Sequence, residues 1–141
     1  MKTHGELVAI ARAHTESESG SDIELTLSTL EADPVYELQP VGRVMRGMPA
    51  ARRYYEHFFS RFRPLVRGFE LRSEWVTDEG VGQEYVITLA TPDRGEERHH
   101  VIGILTFGED ALSGERVYAS ERMLRLMFGP AYDLSEPLEP R

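Results

Sequence analysis

Cysteine is absent from this 141-residue chain, which excludes disulfides, thiolate-bound metals and thiol nucleophiles and suits a reducing cytoplasm. Excess positive charge is absent as well. Sixteen basic residues against 24 acidic ones leave a formal charge of −8, whereas nucleic-acid and anionic-membrane partners both call for a basic face. One local exception runs from Arg43 to Arg72, with eight arginines against Glu56 and Glu70; most fall on the outer side of a helix, as a solvated face would. Long apolar runs are missing too. Residues 7–11 are flanked by Glu6 and Arg12 and are too short for a signal-peptide core. The stretch 99–108, free of Asp, Glu, Lys and Arg, is half of the ~20 residues that span a bilayer. The five histidines, at 4, 14, 57, 99 and 100, lack the helical spacing of a metal pair, and no glycine-rich phosphate loop occurs. Neither a metal nor another cofactor is therefore expected.

What is present is an ordinary globular composition, 40% apolar and 28% charged, at a length suited to one domain with one core. Leu7, Ile10, Ala11 and His14 fall on one helical stripe over residues 3–16. The polar run 16–21 ends it, and Ser21 or Asp22 caps a second helix that carries Ile23, Leu27 and Leu30 as far as Pro34. Residues 35–39, between two prolines, suit a short edge strand. Over residues 48–62 the apolar residues Ala51, Tyr54, Tyr55, Phe58, Phe59 and Phe62 recur opposite Arg52, Arg53, Glu56 and Arg61, which predicts an amphipathic helix with Pro49 in its first turn.

After Pro64 the period changes to two. Phe69, Leu71, Ser73 and Trp75 alternate with Glu70, Arg72 and Glu74, the pattern of a half-buried strand. Further strands follow at 81–91, 99–108 and 115–120, then a short helix around Met123, Leu124 and Met127. The order predicts an α+β fold in which a curved antiparallel sheet wraps around amphipathic helices, cone-shaped like a cystatin-type roll. Residues 1–130 form the domain and residues 131–141 a flexible tail. A conical apolar pocket between helices and sheet is the natural ligand site.

The segments 31–42, 45–47, 101–107 and 114–120 together resemble the nuclear transport factor 2-like superfamily, and within it the SnoaL-like polyketide cyclases. The resemblance implies this same fold over about residues 5–129. It implies either a protein that binds a hydrophobic small molecule or a cofactor-free lyase, isomerase or cyclase acting on a cyclic or polyketide-like substrate. The catalytic carboxylates of the relatives are not retained. Where ketosteroid isomerases carry acids, this chain has Gln39 and Gly103; where limonene epoxide hydrolases carry Arg, Asp and Asp, it has Tyr85, Ile87 and Ser120; the cyclase Asp at the end of the last strand also becomes Ser120. Tyr36 matches a tyrosine that helps hold water in the epoxide hydrolases, whose amide partner is here Leu38.

Strand parity counted from Gly103 puts Val101 and His99 on the cavity face, which makes His99 the candidate acid or base. Tyr36, Trp75, Tyr85 and Tyr118 are expected to line the pocket with Tyr54, Phe58, Val101, Gly103 and Ser120. Glu84 is expected to face away, and Glu115, on the parity opposite Tyr118, likewise. Apolar residues on both faces of the strands at 81–91 and 99–108 predict a homodimer through the sheet face.

Overall fold

The computed structural model describes residues 1–139. Helix α1 (His4–Ser17) opens on a reciprocal cap, in which the Thr3 hydroxyl accepts from the Glu6 amide at 3.1 Å and the Glu6 carboxylate accepts from the Thr3 amide. Its buried stripe is Leu7, Ala11 and His14. The Asp22 side chain caps α2 (Ile23–Leu27) through the Leu25 amide. This helix stops well short of Pro34. The hydroxyls of Ser28 and Thr29 donate back to the carbonyls of Leu25 and Thr26 and close its last turn. Strand β1 (Leu30–Gln39) then starts at the buried Leu30 and runs through Pro34.

Strand β2 (Arg43–Arg46) turns back antiparallel on β1. Helix α3 (Met48–His57) continues as a wide π turn at Phe58–Phe62 and a 3₁₀ turn at Arg63–Leu65. Strands β3 (Val66–Val76), β4 (Gly80–Thr91), β5 (Gly95–Phe107) and β6 (Leu112–Tyr118) form the meander. Helices α4 (Glu121–Phe128) and α5 (Pro130–Asp133) and strand β7 (Glu136–Pro137) complete the chain. The strands join in one seven-stranded curved sheet in the order β3-β4-β5-β6-β1-β2-β7. The fold is α+β, and the sheet is mixed rather than wholly antiparallel, because β1 lies parallel to β6. Two hydrophobic segments distant in sequence thereby share the sheet centre, where Leu38 and Val117 pair and are both buried. Among the described residues no helix is long and apolar enough to cross a membrane.

The segment expected to be a loose tail is laid down on the fold as far as it is described. Ala131 and Tyr132 are buried. β7 pairs with β2, the Leu138 amide donates to the Gly42 carbonyl, and the Arg43 guanidinium donates to the hydroxyl and carbonyl of Ser135. Residues 140–141 lie outside the described residues.

The helices pack their aromatic stripe into the concave side of the sheet. Tyr54 stacks on Phe128 with ring centres 4.0 Å apart, and Tyr55, Phe58 and Phe62 extend the cluster. One irregularity reverses a sequence expectation. A bulge between Leu71 and Ser73 changes the parity of β3, because the extra residue moves every later side chain to the opposite face. Phe69 and Leu71 pair with Ile87 and Tyr85 on the concave side, whereas Trp75 pairs with Gly82 and lies over it on the convex side. Trp75 is 37% exposed, so it does not line the interior as strict alternation predicts.

Candidate functional site

A cavity of about 570 Å³ opens between the helices and the concave sheet face, within the range of small-molecule sites. Tyr54, Phe58, Phe62 and Met127 wall one side, and Val81, Tyr85, Ile87 and Leu105 the other. Three glutamates line it: Glu16 is exposed, whereas Glu18 and Glu115 are partly buried in the apolar enclosure.

Each of the latter two arrives by a local device. Glu18 is the first residue past α1, and its amide donates to the His14 carbonyl at 3.2 Å, so the last helical turn aims it across the mouth. Glu115 lies in β6 beside Tyr36 of β1 and opposite Leu105 of β5. Room for its carboxylate comes from Gly103, where a Cβ would stand 2.6 Å from Glu115 Oε2. Glycine here serves the acid rather than the ligand directly.

The two carboxyls have little to hold their charge. Among the described residues the Glu115 carboxyl accepts no hydrogen bond, and the Glu18 carboxyl has only His14 Nε2 at 3.9 Å. Burial in the apolar enclosure raises the Glu115 pKa to about 7. Burial, and then the charge of Glu115, raises that of Glu18 well above the carboxylate range. Near neutral pH the pair therefore keeps a proton that ordinary glutamates would have lost.

Behind the cavity wall runs a chain of hydrogen bonds. The Thr29 hydroxyl gives its proton to the Thr26 carbonyl at 2.6 Å, so at 2.7 Å it must accept from His14 Nδ1. That leaves His14 Nε2 as an acceptor for the Tyr55 hydroxyl at 2.9 Å, and Tyr55 in turn accepts from Tyr36 at 2.6 Å. Burial lowers the His14 pKa to about 4, against the opposing pull of the Thr26 carbonyl, so the ring is neutral in the tautomer this chain assigns. Among the described residues the hydroxyls of Tyr54 and Tyr85 find no hydrogen-bond partner. No buried side-chain oxygen or nitrogen among the described residues is left without a partner, so both hydroxyls open onto the cavity that their side chains line.

Of the residues expected at the site, the structure brings together Tyr54, Phe58, Tyr85 and Gly103 around the cavity. Tyr36 and Val101 are fully buried behind it, Tyr36 in the hydrogen-bond chain and Val101 beside Tyr85. The others are elsewhere. His99 keeps the concave parity but lies toward the β4–β5 hairpin, where its Nε2 meets Glu97 Oε1 at 3.1 Å beside Arg122. Tyr118 is 39% exposed on the convex face, because Glu115 and Val117 take the concave positions of β6. Ser120 falls past the end of the strand and caps α4 through the Met123 amide at 3.1 Å.

Sequence reasoning missed three residues. The buried Val117 was the available signal for Glu115, since it fixes the inward parity of β6. His14 was visible on the inward stripe of α1 but not as a polar group with partners. Nothing local marks Glu18 within its polar run. Among the described residues no three histidine, aspartate or glutamate side chains group as a metal site.

No family model and no curated protein matches the sequence. Solved structures do match. An epoxide hydrolase/cyclase-like enzyme, SalBIII, described in pyran ring formation in the polyether salinomycin, superposes at a TM-score of 0.68 with 16% identity, over 86% of this chain and 96% of that one. An NTF2-like protein from Anabaena variabilis gives 0.67 at 14% identity, over 86% and 95%. A de novo designed protein with a curved β-sheet gives 0.68 at 11% identity, over 94% and 99%. The fold is thus that of the NTF2-like proteins. Because an enzyme and a designed sheet match it equally well, the fold does not select an activity.

Proposed function

We propose that this chain is an NTF2-like protein that takes a small, largely apolar molecule into its cavity and moves a proton on it, as an isomerase or cyclase does. One observation supports the reading: Glu18 and Glu115 face the same apolar cavity, and Arg63, the basic residue of its lining, bonds the Gly20 carbonyl rather than pairing with either of them. A pair sharing a proton offers a base and an acid at once. In an isomerisation the carboxylate removes a proton beside a carbonyl, and the carboxylic acid returns one at another carbon. In a ring closure the carboxylate takes the proton of an attacking hydroxyl while the acid protonates the departing epoxide oxygen, so one C–O bond forms as another breaks. The epoxide hydrolase/cyclase-like relative is consistent with the second form. His14, Tyr55 and Tyr36 hold the wall behind the acids and do not touch the ligand.

The test is conversion of a panel of apolar unsaturated ketones and epoxy alcohols, neutral and amine-bearing, followed by NMR in D₂O. Conversion that is lost in a Glu18→Gln, Glu115→Gln double variant is expected. A panel converted no faster by the protein than by that variant overturns the reading.

The proposed state is a homodimer through the convex sheet face, in the cytoplasm. Trp75, Ile104, Ile102 and Tyr118 lie in adjacent positions across β3, β5 and β6 on that face. Glu84 and Arg116 stand among them with no ion-pair partner among the described residues, so a two-fold axis can pair Glu84 of each copy with Arg116 of the other. Light scattering should give a dimer mass that Arg116→Glu reduces to a monomer and that Glu84→Arg added to it restores. A monomer mass for the unaltered chain refutes this.

A further inference from the structure

We infer that the ligand of this cavity carries a positively charged nitrogen, a quaternary or protonated amine, next to its apolar body. The inference rests on the cavity being the ligand site, as proposed above, and adds the charge class of what enters it.

The lining supplies what an organic cation needs and a neutral hydrocarbon does not. Glu18 and Glu115 stand in the wall and Glu16 at its edge, around the rings of Tyr54, Phe58, Phe62, Phe69 and Tyr85. Aromatic rings attract a cation through their quadrupole, and they do so most strongly where water is excluded. Tyr54 is 2% exposed, yet among the described residues its hydroxyl has no partner, and it opens onto this space. Such a group is satisfied only by water or by a ligand.

Among the described residues no protein cation is ion-paired with either acid. Arg63, the cation among the lining residues, donates to the Gly20 carbonyl and lies over the Phe59 ring at 5.8 Å. Arg12 pairs with Glu74 at 3.6 Å. His14, behind the wall, is held neutral between Thr29 and Tyr55. An ammonium group set between Glu18 and Glu115 would be matched by one carboxylate, and the other carboxyl would keep its proton for transfer.

Phenyltrimethylammonium and tert-butylbenzene have the same shape and differ in charge, which makes them the probes. Met127 lines the cavity, so its ¹³C-labelled methyl reports binding of either one in the unaltered protein by NMR titration. The expected result is a preference of about tenfold or more for the cation. That preference should grow from about pH 5.5 to about pH 8, as the acid pair loses protons, while binding of the neutral probe stays level. The groups facing the cation are Glu16 and Glu18 at the end of α1, Tyr54 of α3, Arg63, Tyr85 of β4 and Glu115 of β6. Over this range Tyr54 and Tyr85 stay protonated, because burial raises both. In Glu115→Gln, and separately in Glu18→Gln, the preference should shrink while the neutral probe still binds; glutamine copies the shape of a protonated glutamate, and the retained neutral binding shows that the cavity is intact. Equal or tighter binding of tert-butylbenzene overturns the charge inference and leaves the cavity as a ligand site. A Met127 methyl that neither probe moves at millimolar concentration overturns both.

Discussion

Glu115→Gln should stabilise the protein above neutral pH, and the size of the gain follows from where the carboxyl sits. Burial raises its pKa from 4.5 to about 7. Each unit between folded and unfolded values is worth about 1.4 kcal/mol, so deprotonating this residue costs the folded state roughly 3 kcal/mol. The sign is set by which state holds the proton. Between about pH 4.5 and 7 the folded chain keeps a proton that the unfolded chain has released, so stability is present below the unfolded pKa and falls as pH rises through the folded one. Glutamine cannot ionise and removes that slope. Urea unfolding of both proteins at intervals from about pH 5 to about pH 8.5 gives the curves. The two should agree at the acid end and separate by roughly 3 kcal/mol at the alkaline end, a difference in melting temperature of order 10 °C for a chain of this length. Parallel curves would refute the argument, since they would mean that Glu115 ionises as freely in the folded state as in the unfolded one.

The opposite pH behaviour is expected of Glu97, which the Arg122 guanidinium, the Thr91 hydroxyl and His99 hold down to about 2. Its contribution is present above the unfolded pKa and is lost as pH falls through the folded value, so Arg122→Ala should lower the urea midpoint at neutral pH and flatten the acid limb of the stability profile. Tyr55→Phe removes the donor to His14 and the acceptor for Tyr36, and should cost about 1–3 kcal/mol in chemical denaturation, as leaving buried partners unsatisfied does; a cost under about 0.5 kcal/mol would show that the chain is not closed. Gly103→Ala places a methyl group against the Glu115 carboxylate and displaces a flexible side-chain end, so stability should change little while the NMR titration of Glu115 and binding of the cationic probe both shift.

The sequence by itself determined the order of the longer elements, though not the short β2, α5 and β7, and with it the amphipathic helix with Tyr54 and Phe58 inward and the meander of long strands. These follow from hydrophobic period and from proline and glycine punctuation, which act over a few residues. It also placed Tyr85 and Gly103 correctly on the concave face, because β4 and β5 pair without a bulge over their whole length. Parity failed in two ways. The extra residue between Leu71 and Ser73 in β3 turned Trp75 outward; β6 is regular over residues 115–118, but Val117, opposite the inward Gly103, takes the concave position there and leaves Tyr118 outside. The parallel docking of β1 on β6, which brings Tyr36 beside Glu115, joins segments far apart in the chain. Only the tertiary structure decided the acid pair. Glu18 comes from the end of a helix and Glu115 from a late strand, and neither residue carries a local mark. What makes them a site is the low-dielectric space they share, and that space exists only once helices and sheet have closed around it.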